Sequence, residues 1–304
     1  MTGWLINDCL TCIPGTKTFW HDLLEWFPNL IDMTNGHTFF RDLANTIEHK
    51  AKIHGEPDYI IRNATFFRDL NLKCHMISFL QDYYSELHLR EQQINTCNGS
   101  DIVVFNSPFT ESVYGDKISL DIRTETIPIG TDFDLFHPMG NKDELRAKWH
   151  IPNNCILFIG STNSIKGFNI IENLIKNTNY NFCLVMKDDF KTNRDNVKVF
   201  NRVNHQELVE IINCCTMLIC TSVRETLHLS GIEAAACDIP VLATNVGIYH
   251  NRENGVWGRK ATASTFEKDI QNMFKDIDTF SPRDYFLKEG LDRNSCREKW
   301  RKLL

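Results

Sequence analysis

Short apolar runs alternate with stretches of helical spacing along almost the whole chain, and the alternation is interrupted once, at 126–138, before it resumes. GWLIND opens as a strand, CIPGTKT reads as a turn, and FWHDLLEWF places its apolar residues at helical intervals. Further strands are expected at 29–33, 58–62, 75–80 and in DIVVFNS, with helices over 38–54 and 84–96. Strands that alternate with helices predict a parallel sheet covered on both faces. The interrupting segment, TIPIGTDFDLFHP, holds two prolines and a glycine and has no helical period, as a linker does. Beyond it ILFIGS, NFCLVMK, VKVFN and PVLATNVG read as strands, with helices over 168–176, 205–214 and 265–277. A last helical segment follows the break at Ser281-Pro282 and runs to Leu304. The expectation is two α/β domains, 1–130 and 131–282, with 283–304 packing back on the first and a cleft between the two.

A chain of 304 residues with 42% hydrophobic content is long enough for two cores of ordinary size. It contains no apolar run near the ~18 residues that a membrane span needs. The amino-terminal MTGWLINDCLTC lacks the basic region of a secretory signal, so a cytoplasmic location is expected. Of the 11 cysteines, Cys9 and Cys12 form a C-x-x-C and Cys214 and Cys215 are adjacent, while the rest are scattered in apolar surroundings. A structural zinc site usually wants a second such pair or a histidine pair, so buried reduced thiols are expected instead. The net charge of -6 argues against a generally basic nucleic-acid binder. The basic cluster Arg297, Lys299, Arg301 and Lys302 reads as one solvated helix face.

The densest chemistry lies in TMLICTSVRETLHLSGIEAAACDIPVLATNVG, where Glu225 and Glu233 stand eight residues apart. An apolar strand ends at Cys220, a polar turn carries Glu225, and 229–236 has the composition of a helix that carries Glu233. In open α/β sheets ligands bind beyond the carboxyl ends of the strands, where a helix start offers free N–H groups to an anion. Two carboxylates framing such a turn suit a ligand with hydroxyls at both ends and phosphate in the middle.

Four segments in order resemble the retaining glycosyltransferases of the GT-B fold, family 4: PGTKTFWHDLLEWF, then SPFTESVY with TIPIGTDFDLFHP, then GSTNSIKG, and last and most specifically the Glu225/Glu233 stretch. The resemblance covers most of 100–250. It implies two Rossmann-like domains and metal-independent transfer of a sugar from a UDP- or GDP-linked donor, with no cofactor. Glu225 would face the sugar, Glu233 the ribose, and Lys166 the diphosphate, where a fixed cation stabilises the departing negative charge. The amides of Leu227, His228 and Leu229 would meet phosphate, although Thr226 and His228 stand where relatives often have glycine. Ser161 replaces the usual arginine, so Arg202 or Arg224 would have to supply the missing cation, and Asn201-Arg202 falls in the loop near the nucleotide base. Gly15 is what remains of a glycine pair at the first strand's end, where backbone approaches the ligand. Gln81 or Asp82 occupies the place of a histidine near the sugar; Asp82 also reads as a cap for a helix beginning near Tyr84. Asp132-Phe133-Asp134 imitates a metal motif of another fold, but Asp132 matches a structural aspartate of the linker segment.

The acceptor implied is a glycan or small molecule, with a nucleic-acid base as the alternative and peripheral membrane contact compatible with either. The rival to transfer is a degenerate protein that binds the nucleotide sugar and leaves it intact.

Overall fold

A computed structural model describes residues 1–6, 14–34 and 40–304, without the side chains of 14–18 and 40–42. The chain forms two compact units, Met1–Ile129 with Arg297–Leu304, and Gly130–Cys296.

In the first unit the order is β1 (Gly3–Ile6), α1 (Pro14–Trp26), β2 (Leu30–Asp32), α2 (Phe40–His54), β3 (Tyr59–Asn63), β4 (His75–Leu80), α3 (Leu87–Asn98), β5 (Ile102–Phe105), α4 (Pro108–Tyr114) and β6 (Arg123–Thr126). Every pairing is parallel, in the order β2-β1-β3-β4-β5-β6. The direction of winding reverses between β1 and β3, which makes that pair the topological switch point. Strand β5 is a continuous apolar run, as expected of a strand in a parallel sheet, while β3 is buried throughout and carries Arg62, whose guanidinium donates to Ser78 Oγ, the Thr96 carbonyl and Ser100 Oγ. Trp4, Ile6, Leu43, Ile47 and Ile60 share one core cluster, and Leu80, Val103, Phe105 and Tyr114 another. Trp300 is fully buried against Phe19 and Phe79, with ring centroids at 5.9 and 5.7 Å.

The second unit runs α5 (Lys142–Trp149), β7 (Cys155–Gly160), α6 (Phe168–Asn177), β8 (Asn181–Met186), β9 (Val197–Asn201), α7 (His205–Cys214), β10 (Met217–Cys220), α8 (Leu229–Ala236), β11 (Val241–Ala243), β12 (Gly258–Lys260), α9 (Phe266–Lys275), α10 (Pro282–Lys288) and the start of α11 (Arg293–Leu303). Its sheet, also wholly parallel, has the order β9-β8-β7-β10-β11-β12. Counted from β7 this is 3-2-1-4-5-6, the doubly wound dinucleotide-binding order, and its switch point lies between β7 and β10. Ile156, Phe158, Leu184, Met217 and Ile219 pack with Ile171, Phe266 and Ile270 in one core.

Several sequence expectations need correction. PGTKT is the first part of α1, not a turn, because proline is tolerated where a helix begins and its N–H would be unsatisfied anyway. Helix α3 starts at Leu87 with Glu86 before it, so Asp82 does not cap it. The carboxyl-terminal helical segment is two helices, broken at Gly290, whose φ of 68° leaves the helical region. Helix α5 and the short edge strands β6 and β12 gave no periodic signal, since a strand of three or four residues at an edge needs little apolar patterning. The 126–138 segment is packed rather than free: Ile127, Ile129, Phe133 and Phe136 are buried, and the Arg283 guanidinium donates to the carbonyls of Phe133, Phe136 and Ala236. Asp132 accepts from the amides of Asp134 and Leu135 at 3.1 and 2.9 Å, closing a turn of that segment. On α11, Glu298 lies against Arg297 and Arg301, so the basic face is partly neutralised.

Candidate active site

The two strands at the second unit's switch point lead into two loops that are knitted together. After β7 the chain passes Ser161 and turns at Ser164–Lys166; after β10 it passes Thr221, Ser222 and Glu225. The Thr221 hydroxyl donates to the Lys166 carbonyl at 2.8 Å, and the Val223 amide donates to the Ile165 carbonyl, also at 2.8 Å. Gly167 follows with φ 64°, and a Cβ there would run into the Thr221 carbonyl, so the loops meet only because this residue is glycine.

This contact sets Lys166 Nζ 2.6 Å from Glu225 Oε1, across 59 residues of sequence. Ser222 Oγ donates to the same oxygen at 2.7 Å. The side chains are 35% and 13% exposed, so the pair is partly shielded from water and stronger than a surface bridge. Burial works against the Glu225 charge, but the Lys166 ammonium and the hydrogen bonds from Lys166 and Ser222 hold the carboxyl below its ordinary range.

Helix α8 begins at the far end of the same loop. Among the described residues, no acceptor within the protein takes the amides of Leu227, His228, Leu229 or Ser230, as a helix start predicts. His228 precedes the helix at φ 74° and ψ 63°, a left-handed conformation that costs a non-glycine residue about 1–2 kcal/mol. Its side chain is 8% exposed, and burial, aided by Lys166, pushes the imidazole down to about 4. Glu233, one turn into α8, is half-buried, and its side chain has no hydrogen-bond or ion-pair partner among the described residues. Burial alone raises it to about 7. One sequence motif has thus produced two carboxyls of opposite character: one anchored and ionised, one unpaired and poised at neutrality.

Cys220 Sγ, a Glu225 oxygen and a His228 nitrogen lie within 4.8 Å of one another, a grouping that residue spacing had not shown. Lys166 and Ser222 already occupy Glu225 Oε1, and the Cys220 thiol is pushed up to about 12 by burial, both of which work against a metal there.

The other sequence candidates are placed as follows. Ser161 is half-buried directly after β7 and brings no cation to the pair. Arg202 stands after β9, at the sheet's edge, with φ 58°; its exposed guanidinium pairs with Asp189 at 3.2 Å and does not join Lys166 and Glu225. Gly15 is in the first turn of α1, within the stretch whose side-chain surroundings are not described. Cys9 and Cys12 lie outside the described residues. In the first unit Gln81 follows β4 and is 4% exposed, with both amide atoms buried and unpartnered. Its neighbour Asp82 is half-buried and accepts a long bond from Asn63 at 3.5 Å. Ser222 and Tyr249 were missed by sequence reasoning; Ser222 had a signal in its place at a strand end, while nothing in the local sequence marks Tyr249.

Two parallel Rossmann-like sheets, one of them with a cation, an anion and free helix amides at its switch point, make this a protein of the GT-B fold. Residues 141–283, a little under half of the chain, match the family model for glycosyl transferases group 1. Among curated proteins, the chain is 26% identical over 133 residues to an uncharacterised glycosyltransferase of Methanocaldococcus jannaschii, spanning 40% of this chain and 38% of that one. It is 26% identical over 151 residues to D-inositol 3-phosphate glycosyltransferase 1 of Catenulispora acidiphila, spanning 41% and 36%. The matches therefore cover well under half the length of these relatives. Among solved structures, sucrose-phosphate synthase from Thermosynechococcus elongatus aligns with a TM-score of 0.80 at 14% identity over 100% of this chain and 98% of that one. Anabaena HepE in complex with UDP-glucose aligns with a TM-score of 0.78 at 15% identity over 100% and 99%.

Proposed function

We propose that the protein transfers a sugar from a nucleoside-diphosphate donor to a hydroxyl acceptor, with retention at the anomeric carbon and without a metal. The observation that carries this reading is the Lys166–Glu225 pair set beside four unused amides at the switch point. A diphosphate entering there meets Lys166 and the amides of Leu227, His228 and Leu229, and it competes with Glu225 for the ammonium group. Glu225, released or shared, takes the sugar hydroxyls, and Glu233 accepts from the ribose hydroxyls. Ser161 and Gly15 are proposed to border the diphosphate, Arg202 the base, and Gln81 and Asp82 the sugar.

In the reaction the bond from the anomeric carbon to the diphosphate oxygen breaks and a bond to the acceptor oxygen forms on the same face. The acceptor proton passes to the departing diphosphate, whose charge Lys166 and the helix amides stabilise. HepE, of the same fold, is seen with UDP and with UDP-glucose, which supports a uridine diphosphate donor. A glycan or small-molecule acceptor agrees with the charge of -6 better than a nucleic acid does. No described helix is long and apolar enough to cross a membrane, and the nine free cysteines among the described residues support placing the protein in the reducing cytoplasm.

The test is incubation with UDP-, GDP- and ADP-sugars, following nucleotide release with and without acceptors. Absence of both binding and turnover across the panel refutes the reading. Binding without release selects the degenerate binder, a reading that Ser161 favours because it removes one cation from the phosphate site.

A further inference from the structure

The loop that carries Glu225 is gripped by a second segment, the turn Gly247–Tyr249, which follows β11. The Gly247 amide donates to the Glu225 carbonyl at 3.1 Å, and the Ile248 amide donates to the Leu227 carbonyl at 3.0 Å. The third residue of the turn reaches the loop through its side chain: Tyr249 Oη lies 3.3 Å from His228 Nδ1. The other ring nitrogen, Nε2, lies 3.4 Å from Ser230 Oγ. A neutral imidazole has one donor and one acceptor nitrogen, and each hydroxyl can donate or accept, so a neutral ring can make both contacts at once.

Three independent observations show that this arrangement is enforced. His228 occupies a left-handed backbone conformation, at φ 74°, that glycine would adopt without strain. Gly231 lies beneath the contact, where a Cβ would collide with both Tyr249 Oη and His228 Nδ1. Tyr249 is fully buried and its ring is stacked on Trp257, with centroids at 5.0 Å and planes 19° apart, so the hydroxyl cannot swing away. The imidazole also keeps a donor atom within 4.8 Å of the Glu225 carboxylate.

We propose that His228 and Tyr249 are positioning residues whose side chains close a clasp on the 225–228 loop, holding the Glu225 carboxylate and the free amides of 227–230 aligned on the departing diphosphate. The clasp rests on the transferase reading for its consequence but not for its existence. A residue that tolerates strain in order to bring its ring to Tyr249 contributes orientation, because misplacement of a reacting group by a fraction of an ångström lowers turnover without abolishing binding.

His228→Gly and Tyr249→Phe separate the alternatives. The glycine variant relieves the left-handed strain, so its melting temperature is held or raised, while Tyr249→Phe removes one oxygen and leaves the ring stacked. Both are expected to lower kcat for donor turnover at least tenfold with KM for the donor changed less than threefold. Unchanged kcat in both variants, or a loss confined to KM, overturns the proposal. Hydrogen exchange of the Gly247 and Ile248 amides supplies a readout that needs no activity: exchange at least tenfold faster in both variants supports the clasp, and unchanged exchange overturns it. If wild-type protein turns over no donor, the transferase reading falls, and the exchange measurement still decides the clasp.

Discussion

The two units carry sheets of the same size and direction, yet the carboxyl ends of their strands differ in kind. At the second unit's switch point, β7 and β10 deliver a cation and an anion into contact, next to a helix start with unused amides. In the first unit β3, β4 and β5 deliver Asn63, Gln81 and Asn106, all buried and uncharged, with Asp82 the acidic residue among them. The Asn106 amide donates to the Gln81 carbonyl at 3.2 Å, and the Gln81 side chain is left without a partner. The loop after β1, one side of that unit's switch point, is outside the described residues. The contrast teaches that one architecture supports, among the described residues, an end where an ion pair meets unused amides and an end lined mainly by buried, uncharged amides.

Replacing Lys166 by alanine tests the charged end most severely. Turnover is expected to fall by about 10²–10³-fold, the usual loss when one preorganised electrostatic group is removed from a transition state. A fall of less than tenfold in steady-state kcat would mean that the charge at the switch point does not drive the reaction.

The next effect concerns stability against pH. His228 is lowered in the folded protein to about 4 from 6.5, so its contribution is complete above 6.5 and is lost as pH falls toward 4. Glu233 is raised to about 7 from 4.5, so its contribution is complete below 4.5 and is lost as pH rises toward 7. Between 4.5 and 6.5 the two nearly cancel in the wild type, leaving a flat profile. Glu233→Gln removes one of them, and unfolding free energy should then rise with pH across that window by up to about 1.4 kcal/mol per unit. Denaturant melts at half-unit steps measure the slope, and a flat profile in the variant would show that His228 is not held neutral by the fold.

A smaller change is expected in nucleotide affinity. Ribose hydroxyls that donate to Glu233 favour its ionised form, so binding releases a proton and tightens as pH rises through about 7. Calorimetry should find that dependence in the wild type and its absence in Glu233→Gln, together with affinity weaker by roughly tenfold, the size of one hydrogen bond to a charged group.

The neutral end should respond least. Gln81→Leu replaces an unpaired buried amide with an apolar group of similar volume, and stability is expected to hold or to rise by about 1 kcal/mol. Donor turnover in that variant is the sharper measurement: a loss without destabilisation would assign the orphaned amide to the ligand.

Much of this was legible in the chain. Strands β4, β10 and the helices α7 and α8 coincide with their apolar patterns, because buried, clearly patterned segments carry the strongest local signal. Edge strands β6 and β12 did not, being short and half exposed, and α1 was cut short by a proline that in fact begins it. At the site, Glu225 at a strand end and Glu233 on the following helix followed from spacing. Their opposite ionisation did not, since Glu225 owes its lysine partner to a loop 59 residues away and Glu233 owes its raised value to what surrounds it.

The amino-acid sequence by itself determined most of the strands and helices and where the acidic pair, the lysine turn and the connecting segment fall along the chain, because those are properties of neighbours within a dozen residues. The tertiary structure alone decided that β7 lies beside β10, and with it the contact of Lys166 with Glu225 and the left-handed backbone of His228 beneath Tyr249. Strand order is a choice among long-range pairings whose local sequences are equally apolar, so it is settled by the packing of the whole unit.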